Sequence, residues 1–362
     1  MWKYSDKQIL RGGLFGSGQV TRYHMDAWKV IDNVEIVAIA NRTVEKAQEL
    51  AEVYGVDPSK VYSSHKALLE NEDIDFVDIA TVPQVHYEQV MDSIDSGRHA
   101  FCQKPFSMDL DSAYQMMTMA EKRGVLLSVN ENWRWRSWYR KLKELLIENR
   151  IGKPRYLYIR RHNNGTLPTL NEQPPALAEK QPYTQDLEQL ILFEWGIHII
   201  DVARFLFGDP STVYASMLNV SPYFKGEDRI VLTLNTGDTH AVLDLSWASL
   251  GKEEKVSQLE YIDLEGEEGS IRINPEIDNG IHVFSRNGAY TMPAFSLSES
   301  DEYQLSYTRA HQDFVRALRT GKYPETCARD NIKTLAVVFA AYQSAGKNRV
   351  VDIRDFAGEV LK

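Results

Sequence analysis

Apolar and polar positions follow two different periods along the first part of the chain. Short apolar runs of β-forming residues are separated by longer segments in which apolar residues recur every three or four positions. Strands that alternate with helices in this way predict βαβ units and a parallel sheet covered on both faces. The expected strands are Ile9–Phe15, Val34–Ala40, Phe76–Ala80, His99–Phe101 and Leu126–Asn130, and the expected helices include Gln19–Val30, Val44–Tyr54, Gln84–Ser96 and Asp109–Arg123.

The pattern changes after residue 130, where alternating strands become more frequent. Alternation along Ala241–Trp247 and Leu259–Leu264 predicts an antiparallel sheet with one face covered by helices. The stretch Asn163–Gln189 is rich in Pro, Asn, Gln and Thr, and we interpret it as a loop over a pocket. The other expected elements are a helix at Tyr139–Asn149, a strand at Arg155–Arg161, a helix at Phe193–Phe207, strands within Val213–Asn274, and helices at Glu302–Arg319 and Asn331–Gly346.

The predicted fold class is therefore α/β with two domains, which is the natural number for 362 residues. The first, at 1–130, is a parallel-sheet domain. The second, at 131–362, is an α+β domain built on a large, mostly antiparallel open sheet, and its C-terminal segment is able to pack back on the first domain.

Composition narrows the possible partners. The formal net charge is −10, which argues against nucleic acid or an anionic membrane as the main partner. No apolar run approaches the roughly 18 residues of a membrane span. The first residues carry charges and no apolar signal region, so we expect a cytoplasmic protein. The two cysteines, Cys102 and Cys327, lack partners at metal-ligand spacing, so neither a metal site nor a disulfide framework is expected.

The end of the first expected strand has the composition of a phosphate-binding turn. Gly16 and Gly18 allow the backbone to turn sharply and to approach a ligand closely. The helix that follows directs free N–H groups and its positive dipole end at an anion. Thr21 replaces the third glycine of the usual dinucleotide fingerprint. We expect dinucleotide contacts from Gly16, Ser17, Gly18, Gln19 and Val20, although a glycine-rich surface turn is the simpler alternative.

The end of the second expected strand bears on the choice between NAD and NADP. NAD-selective proteins usually place an acid there, whereas arginine suits a 2′-phosphate. The chain has Asn41, Arg42 and Thr43 at this point. We therefore favour NADP. If Arg42 only stacks on adenine, NAD remains possible.

Two further strand ends carry polar residues. In parallel sheets, ligands bind at the carboxyl ends of the strands. The third and fourth such ends are Thr81-Val82-Pro83 and Gln103-Lys104. A lysine beside a nucleotide pocket can orient or protonate a hydroxyl oxygen, whereas an exposed lysine before a helix is the plain alternative.

A second group of polar residues lies on one predicted helix. Glu194, His198 and Asp201 are four and three positions apart, hence on one helical face. A carboxylate one turn away can fix the tautomer of a histidine and favour its charged form. A lone histidine on an apolar helix is more often a core residue, but the two flanking acids favour catalysis.

Aromatic residues and arginines are interleaved just after residue 130. The rings could line a sugar pocket or pack in a core, and the arginines could make a pocket locally basic. The substrate-side candidates outside the helix are Arg160, His162 and Tyr183. The rings are Trp133, Trp135, Trp138 and Tyr139, and the arginines are Arg134, Arg136, Arg140, Arg160 and Arg161.

Taken in order, these motifs resemble the glucose-fructose oxidoreductase/inositol dehydrogenase/rhizopine-catabolism (Gfo/Idh/MocA) family. The matching positions span nearly the whole chain, and they are Gly13–Gly18, Thr81 with Pro83 and His86, Gln103-Lys104-Pro105, Asn132 with Arg134, Glu194 to Asp201, and Lys333–Lys347. The resemblance implies an N-terminal Rossmann domain and a C-terminal domain whose open sheet serves in homodimers or homotetramers. It also places the family's catalytic lysine on Lys104, its acid and histidine on Glu194 and His198, and its cofactor-side arginine on Arg134. Gln103 stands where the family usually has Glu, and Glu194 where it usually has Asp.

The expected function is an NADP- or NAD-dependent oxidoreductase that acts on a secondary alcohol of a sugar, cyclitol or derivative. His198 would accept the hydroxyl proton while Lys104 hydrogen-bonds the same oxygen. The substrate contacts are expected from Lys104, Arg160, His162, Glu194, His198 and Asp201. Two alternatives stay open: a redox-neutral glycoside-cleaving enzyme that retains its cofactor, and a non-catalytic dinucleotide-binding regulator.

Overall fold

The computed structural model describes Tyr4 and residues 7–169, 174–250 and 259–361. The chain divides into two compact units: unit 1 comprises Met1–Trp135 with Tyr303–Ile332, and unit 2 comprises Arg136–Glu302 with Lys333–Lys362. Parts of the expected loop at 163–189 and of the expected strands at 213–274 lie outside the described residues.

Unit 1 contains a six-stranded sheet in the order β3-β2-β1-β4-β5-β6. Every described pair in it is parallel, and β4 and β5 are buried along their whole length. This is the strand order of a Rossmann fold, so the predicted architecture is confirmed. The strands are β1 Leu10–Phe15, β2 Val34–Ala40, β3 Val61–Tyr62, β4 Phe76–Ile79, β5 His99–Gln103 and β6 Leu127–Asn130.

Helices connect these strands and bury one apolar face each. A ring cluster fills the core, where Phe101 stacks on Phe314 with 5.0 Å between ring centroids and Trp28 packs on Phe76. The helix at 110–123 begins at Asp109, whose side chain accepts the N–H of Ser112, and ends at Gly124 in the left-handed region. The helices are α1 Thr21–Lys29, α2 Val44–Tyr54, α3 His65–Asn71, α4 His86–Asp95 and α5 Leu110–Arg123, and 3₁₀ turns lie at Pro58–Lys60, Pro83–Val85 and Trp133–Trp135.

Unit 2 contains a nine-stranded sheet in the order β14-β13-β12-β11-β7-β10-β9-β8-β15. All its described pairs are antiparallel except β7 with β10. Ile230, Leu232 and Leu234 are buried on alternate positions, so one face of the sheet is covered, as predicted. The strands are β7 Pro154–His162, β8 Thr212–Leu218, β9 Arg229–Asn235, β10 His240–Ser246, β11 Tyr261–Gly266, β12 Gly269–Ile273, β13 Gly280–Ser285, β14 Gly288–Pro293 and β15 Val351–Asp352.

Helical segments complete the described chain, and the division between the units falls within α9 and α10. The expected loop at 163–189 includes a short helix and a 3₁₀ turn, so it is more ordered than its composition predicted. The described helices are α6 Ser137–Ile147, α7 Ala176–Lys180, α8 Ile197–Phe207, α9 Glu299–Thr320, α10 Ala328–Lys347 and α11 Ile353–Ala357, with a π-turn at Leu192–Gly196 and 3₁₀ turns at Pro182–Asp186 and Gly358–Leu361. Within the described ranges, no helix is both long and apolar enough to cross a membrane.

Candidate active site

The glycine turn after β1 has the backbone of a pyrophosphate cradle. Gly16 has φ +107°, and its N–H bonds the carbonyl of Ala40 at 2.8 Å. A Cβ on Gly16 would lie 2.5 Å from the carbonyl oxygen of Ala80, whereas a Cβ on Gly18 would meet nothing within 4 Å. The first turn of α1 carries no acidic residue, and its N-cap, Val20, makes no side-chain cap. This open, uncapped helix start fits a dinucleotide phosphate.

The end of β2 lies beside this turn. The side chain of Asn41 donates to the carbonyl of Thr43 at 2.7 Å, which shapes the entry into α2. Arg42 and Thr43 are exposed. The strand end therefore offers a guanidinium and no carboxylate.

The ends of β4 and β5 are joined by a buried histidine. His86 faces the carbonyl of Pro105 through Nδ1 at 2.9 Å and that of Thr81 through Nε2 at 3.2 Å. Burial lowers the pKa of His86 to about 4, so the ring is neutral and carries one N–H. The carbonyl of Pro105, at the shorter distance, is the better acceptor for that N–H. His86 thus joins the turn that carries Thr81 to the turn that carries Lys104.

Lys104 follows β5 at the same edge of the sheet and is partly buried. Its backbone N–H donates to Oε1 of Gln103 at 2.6 Å. Val82 and Pro83 form the turn on the neighbouring strand end, and Val82 is exposed. The predicted cofactor-side residues of β1, β2, β4 and β5 are therefore brought to one edge of the unit 1 sheet.

The side chain of Arg134 is buried in unit 1, where it binds other residues of that unit. Its guanidinium donates to Asp330 at 2.8 Å and to the carbonyl of Glu325 at 3.1 Å. The four aromatic side chains around it in sequence, Trp133, Trp135, Trp138 and Tyr139, are all buried, which favours the core interpretation for them.

Glu194 lies in the π-turn that precedes α8. Such π-helical turns are rare in proteins, and those that occur often lie at functional sites. Glu227 holds the start of this segment, because its carboxylate accepts the N–H groups of Leu190 and Leu192 and the hydroxyl of Tyr342 at 2.8 Å. Burial raises the pKa of Glu227. Gly196 allows the turn to pack, since a Cβ there would lie 2.5 Å from Leu192 Cδ1.

His198 and Asp201 follow on α8 and both are buried. Asp201 accepts the hydroxyl of Thr334 at 3.0 Å and lies 3.7 Å from the guanidinium of Arg204. Tyr183 is exposed, and its hydroxyl donates to Oε1 of Gln181 at 3.1 Å. Asp201 is thus engaged with Arg204 and Thr334.

Arg160 and His162 have partners of their own on β7. Arg160 pairs with Glu276 at 2.9 Å, and His162 faces Asp244 at 2.9 Å. Arg161, between them in sequence, points to the opposite face of the strand, and its guanidinium lies 4.5 Å from the ring of Trp195. The structure thus brings Arg161, rather than Arg160 or His162, to the segment that carries Glu194.

Sequence reasoning missed two sets of buried residues. The first is His24 with Asp78, next to Gln103. The second is Glu227 with Tyr342, at the π-turn. A carboxylate inside the buried strand Phe76–Ile79 was a visible signal for Asp78, because buried charges require partners. Glu227 had no comparable signal, since it lies in an irregular polar stretch.

Comparison with known proteins agrees with this geometry. Residues 10–131 match the family model described as "Oxidoreductase family, NAD-binding Rossmann fold", and residues 139–272 match the "GFO/IDH/MocA C-terminal domain". The chain is 33% identical to a D-apiose dehydrogenase of Paraburkholderia graminis over 357 residues, covering 96% of this chain and 91% of that protein. It is 24% identical to a myo-inositol 2-dehydrogenase of Thermotoga maritima, covering 96% of this chain and 100% of that protein. A crystal structure of an oxidoreductase from Agrobacterium radiobacter in complex with NAD⁺, L-tartaric acid and magnesium superposes with a TM-score of 0.87 at 30% identity, covering 96% of this chain and 99% of that one.

Proposed function

Because the chain belongs to the GFO/IDH/MocA family of oxidoreductases, we propose that it transfers a hydride between a nicotinamide dinucleotide and a CH–OH carbon of a sugar or cyclitol. The observation that carries this proposal is the sheet edge of unit 1, where the open turn at Gly18 and the amine-bearing residue Lys104 follow parallel strands. D-Apiose and inositol, the substrates named for two relatives, are the first compounds to test.

Three side chains divide the acid–base work in this proposal. When bound, the nicotinamide ring supplies the hydride acceptor. The Lys104 ammonium donates a hydrogen bond to the substrate hydroxyl oxygen and stabilises the negative charge that develops on it. The His198 imidazole takes the proton of that hydroxyl, and Glu194 favours the resulting imidazolium. The same groups run in reverse when a ketone is reduced.

Arg160, His162 and Asp201 do not take part in the proposed chemistry. Each is engaged in an ion pair or hydrogen bond with another residue of unit 2. Arg134 pairs with Asp330. We expect Arg134 to hold the backbone on the cofactor side of unit 1 rather than to contact the cofactor.

We propose that the preferred cofactor is NADP. Arg42 is exposed at the end of β2, where an acid would repel a 2′-phosphate. Arg42→Ala should raise KM for NADP by about 10-fold, the equivalent of one charge-assisted contact of about 1.4 kcal/mol, and leave KM for NAD nearly unchanged. Equal effects on the two cofactors would show that Arg42 only stacks on adenine.

The decisive experiment is an absorbance screen at the reduced-nicotinamide band, with aldoses and cyclitols against both cofactors. Lys104→Ala should lower kcat by about 100-fold or more with little change in dinucleotide affinity. Lys122→Ala, an exposed lysine on α5, is the matched control and should keep full turnover. An unchanged kcat in Lys104→Ala would remove this residue from the mechanism.

We also propose a homodimer or homotetramer that buries the uncovered face of the unit 2 sheet. That face presents Tyr156 and Tyr158 on β7 and Val231 on β9, two strands that flank β10 in a sheet whose other face is apolar and buried. Light scattering after gel filtration should give a multiple of the 41.5 kDa chain mass. A monomer would contradict the proposal.

The proposed location is the cytoplasm. Cys102 and Cys327 are both free and buried in the described structure, as is usual for proteins in reducing compartments. Cell fractionation with an antibody tests this, and recovery in a secreted or membrane fraction would overturn it.

A further inference from the structure

The side chain of Gln103 is buried in unit 1, where it lies against the backbone of Lys104, the ring of His24 and the hydroxyl of Tyr307. Its Oε1 lies 2.6 Å from the backbone nitrogen of Lys104, and its Nε2 lies 3.2 Å from Nε2 of His24. The backbone N–H of Lys104 can only donate, so the atom that faces it must be the amide oxygen. The NH₂ group of Gln103 therefore faces His24.

This orientation determines which nitrogen of His24 carries the proton. Nε2 receives the N–H of Gln103 and lies 3.0 Å from the amide nitrogen of Asn130, so it is the unprotonated acceptor. Nδ1 then carries the proton and donates it to Asp78, whose two oxygens lie 2.9 Å away. Trp28 donates its indole N–H to the same carboxylate at 2.6 Å. Every donor and acceptor from Asp78 to the backbone of Lys104 is thereby assigned.

We propose that His24 and Asp78 are positioning residues that act through Gln103 on Lys104. This inference rests on the proposed catalytic role of Lys104. Asp78 fixes the tautomer of His24, His24 fixes the rotation of the Gln103 amide, and that amide holds the backbone from which the Lys104 side chain projects.

A second proton on His24 would not fit this chain of hydrogen bonds. A proton on Nε2 of His24 would face the NH₂ groups of Gln103 and Asn130. Asn130 can reverse its amide, because its Oδ1 has no hydrogen-bond partner among the described residues. Gln103 cannot reverse without losing the N–H of Lys104.

The other groups that face His24 come from β4 and α9. Burial alone would raise the pKa of Asp78, but the neighbouring His24 with its hydrogen bond, and the nearby His311, lower it, so it is a carboxylate. Burial lowers the pKa of His311, which donates Nδ1–H to the carbonyl of Tyr307 and whose Nε2 lies 3.7 Å from Asp78. Burial raises the pKa of Tyr307 well above its usual value, and the hydrogen bond from Gln103 opposes this shift.

The test compares the wild-type protein with Gln103→Glu. Imidazole nitrogen NMR of the unliganded wild type should show His24 protonated at Nδ1 and bare at Nε2. In Gln103→Glu, a carboxylate on each side should keep His24 protonated at both nitrogens near neutral pH. The pH dependence of kcat in Gln103→Glu should therefore differ from that of the wild type, because the two side chains at position 103 pair with different protonation states of His24.

Two further variants keep the test sharp. Gln103→Leu, which cannot accept the N–H of Lys104, should lower kcat by about 100-fold, the loss typical of a small misplacement of a reacting group, with little change in the KM of the sugar. Gln115→Glu makes the same chemical change at an exposed glutamine on α5 and should leave the pH profile unaltered.

The two proposals fail in different ways. A protonated Nε2 in the wild type, or a wild-type pH profile in Gln103→Glu, would overturn the positioning role even if Lys104→Ala loses turnover. If the NMR signals behave as expected but Lys104→Ala keeps turnover, the role of Lys104 fails, and with it the proposal that His24 and Asp78 act on catalysis. A Gln103→Glu protein that does not fold leaves the wild-type tautomer to decide, since the inference requires a bare Nε2.

Discussion

The two glycines of the turn after β1 should respond in opposite ways to a single added methyl group. Gly16 has φ +107°, a region that L-residues rarely adopt, and its Cβ would lie 2.5 Å from the carbonyl oxygen of Ala80. Gly18 has open space where its Cβ would point. Gly16→Ala should therefore lower the stability of the folded protein, and Gly18→Ala should weaken only the binding of the dinucleotide.

The magnitudes follow from these contacts. Forcing alanine into a sparsely populated backbone region costs about 1–3 kcal/mol, and overpacking against a backbone oxygen adds about 1–3 kcal/mol. We expect Gly16→Ala to lower the free energy of unfolding by about 3 kcal/mol or more. Gly18→Ala should leave it within about 0.5 kcal/mol and raise the Kd of the dinucleotide by about 10-fold, because the methyl group occupies the space of the pyrophosphate.

Urea unfolding followed by tryptophan fluorescence measures the first effect, and calorimetric titration with NADP and NAD measures the second. The slope of unfolding against urea should stay constant in both variants, which shows that the same surface is exposed. A stable Gly16→Ala protein would refute the strained turn. Unchanged dinucleotide binding by Gly18→Ala would refute the phosphate cradle.

Three other experiments test buried polar side chains outside this turn. Glu260→Gln should lower the free energy of unfolding by about 3–5 kcal/mol, because the buried Glu260 carboxylate pairs with Arg136 and Arg161. Glu267→Gln, at an exposed ion pair, should change it by less than about 1 kcal/mol. Similar urea midpoints for the two variants would contradict this. Glu227→Gln should lower kcat more than it raises the sugar KM, because a neutral amide oxygen is a weaker acceptor than the carboxylate oxygen that holds the N–H groups of Leu190 and Leu192, and an unchanged kcat would separate that turn from catalysis. Burial lowers the pKa of His99 to about 4, so the unfolded chain takes up the proton first, and stability should fall by about 3 kcal/mol between about pH 6.5 and about pH 4. His99→Asn can still accept the N–H of Leu126 but does not titrate, so its stability should lose less over that interval; an equal loss would exclude His99 as the source.

The parallel sheet could be predicted from sequence because its strands are buried on both faces. The run Val34–Ala40 is apolar at every position except Glu35 and matched the observed strand at both ends. The polar residues that end these strands could be placed at one edge for the same reason. By contrast, β14 was missed because it is exposed along nearly all its length and so carries no periodic apolar signal. The strand β13 was missed although Ile281 and Val283 alternate into the core.

The details of the candidate site depend on facts that local sequence does not contain. Arg160 and Arg161 differ by one position, and in a strand that places them on opposite faces. The π-turn at Leu192–Gly196 depends on Glu227, which is distant in sequence. His24 and Asp78 are 54 residues apart, so their pairing could not be inferred from spacing.

The central claim is that a hydride passes directly between substrate carbon and nicotinamide while Lys104 stabilises the oxygen. Turnover of a sugar or cyclitol deuterated at the reacting carbon tests it most directly. We expect a primary isotope effect on the chemical step, recovery of the deuterium on the reduced nicotinamide, and loss of this reaction in Lys104→Ala. Dinucleotide binding without any reduced nicotinamide, or release of the deuterium into water, would contradict it.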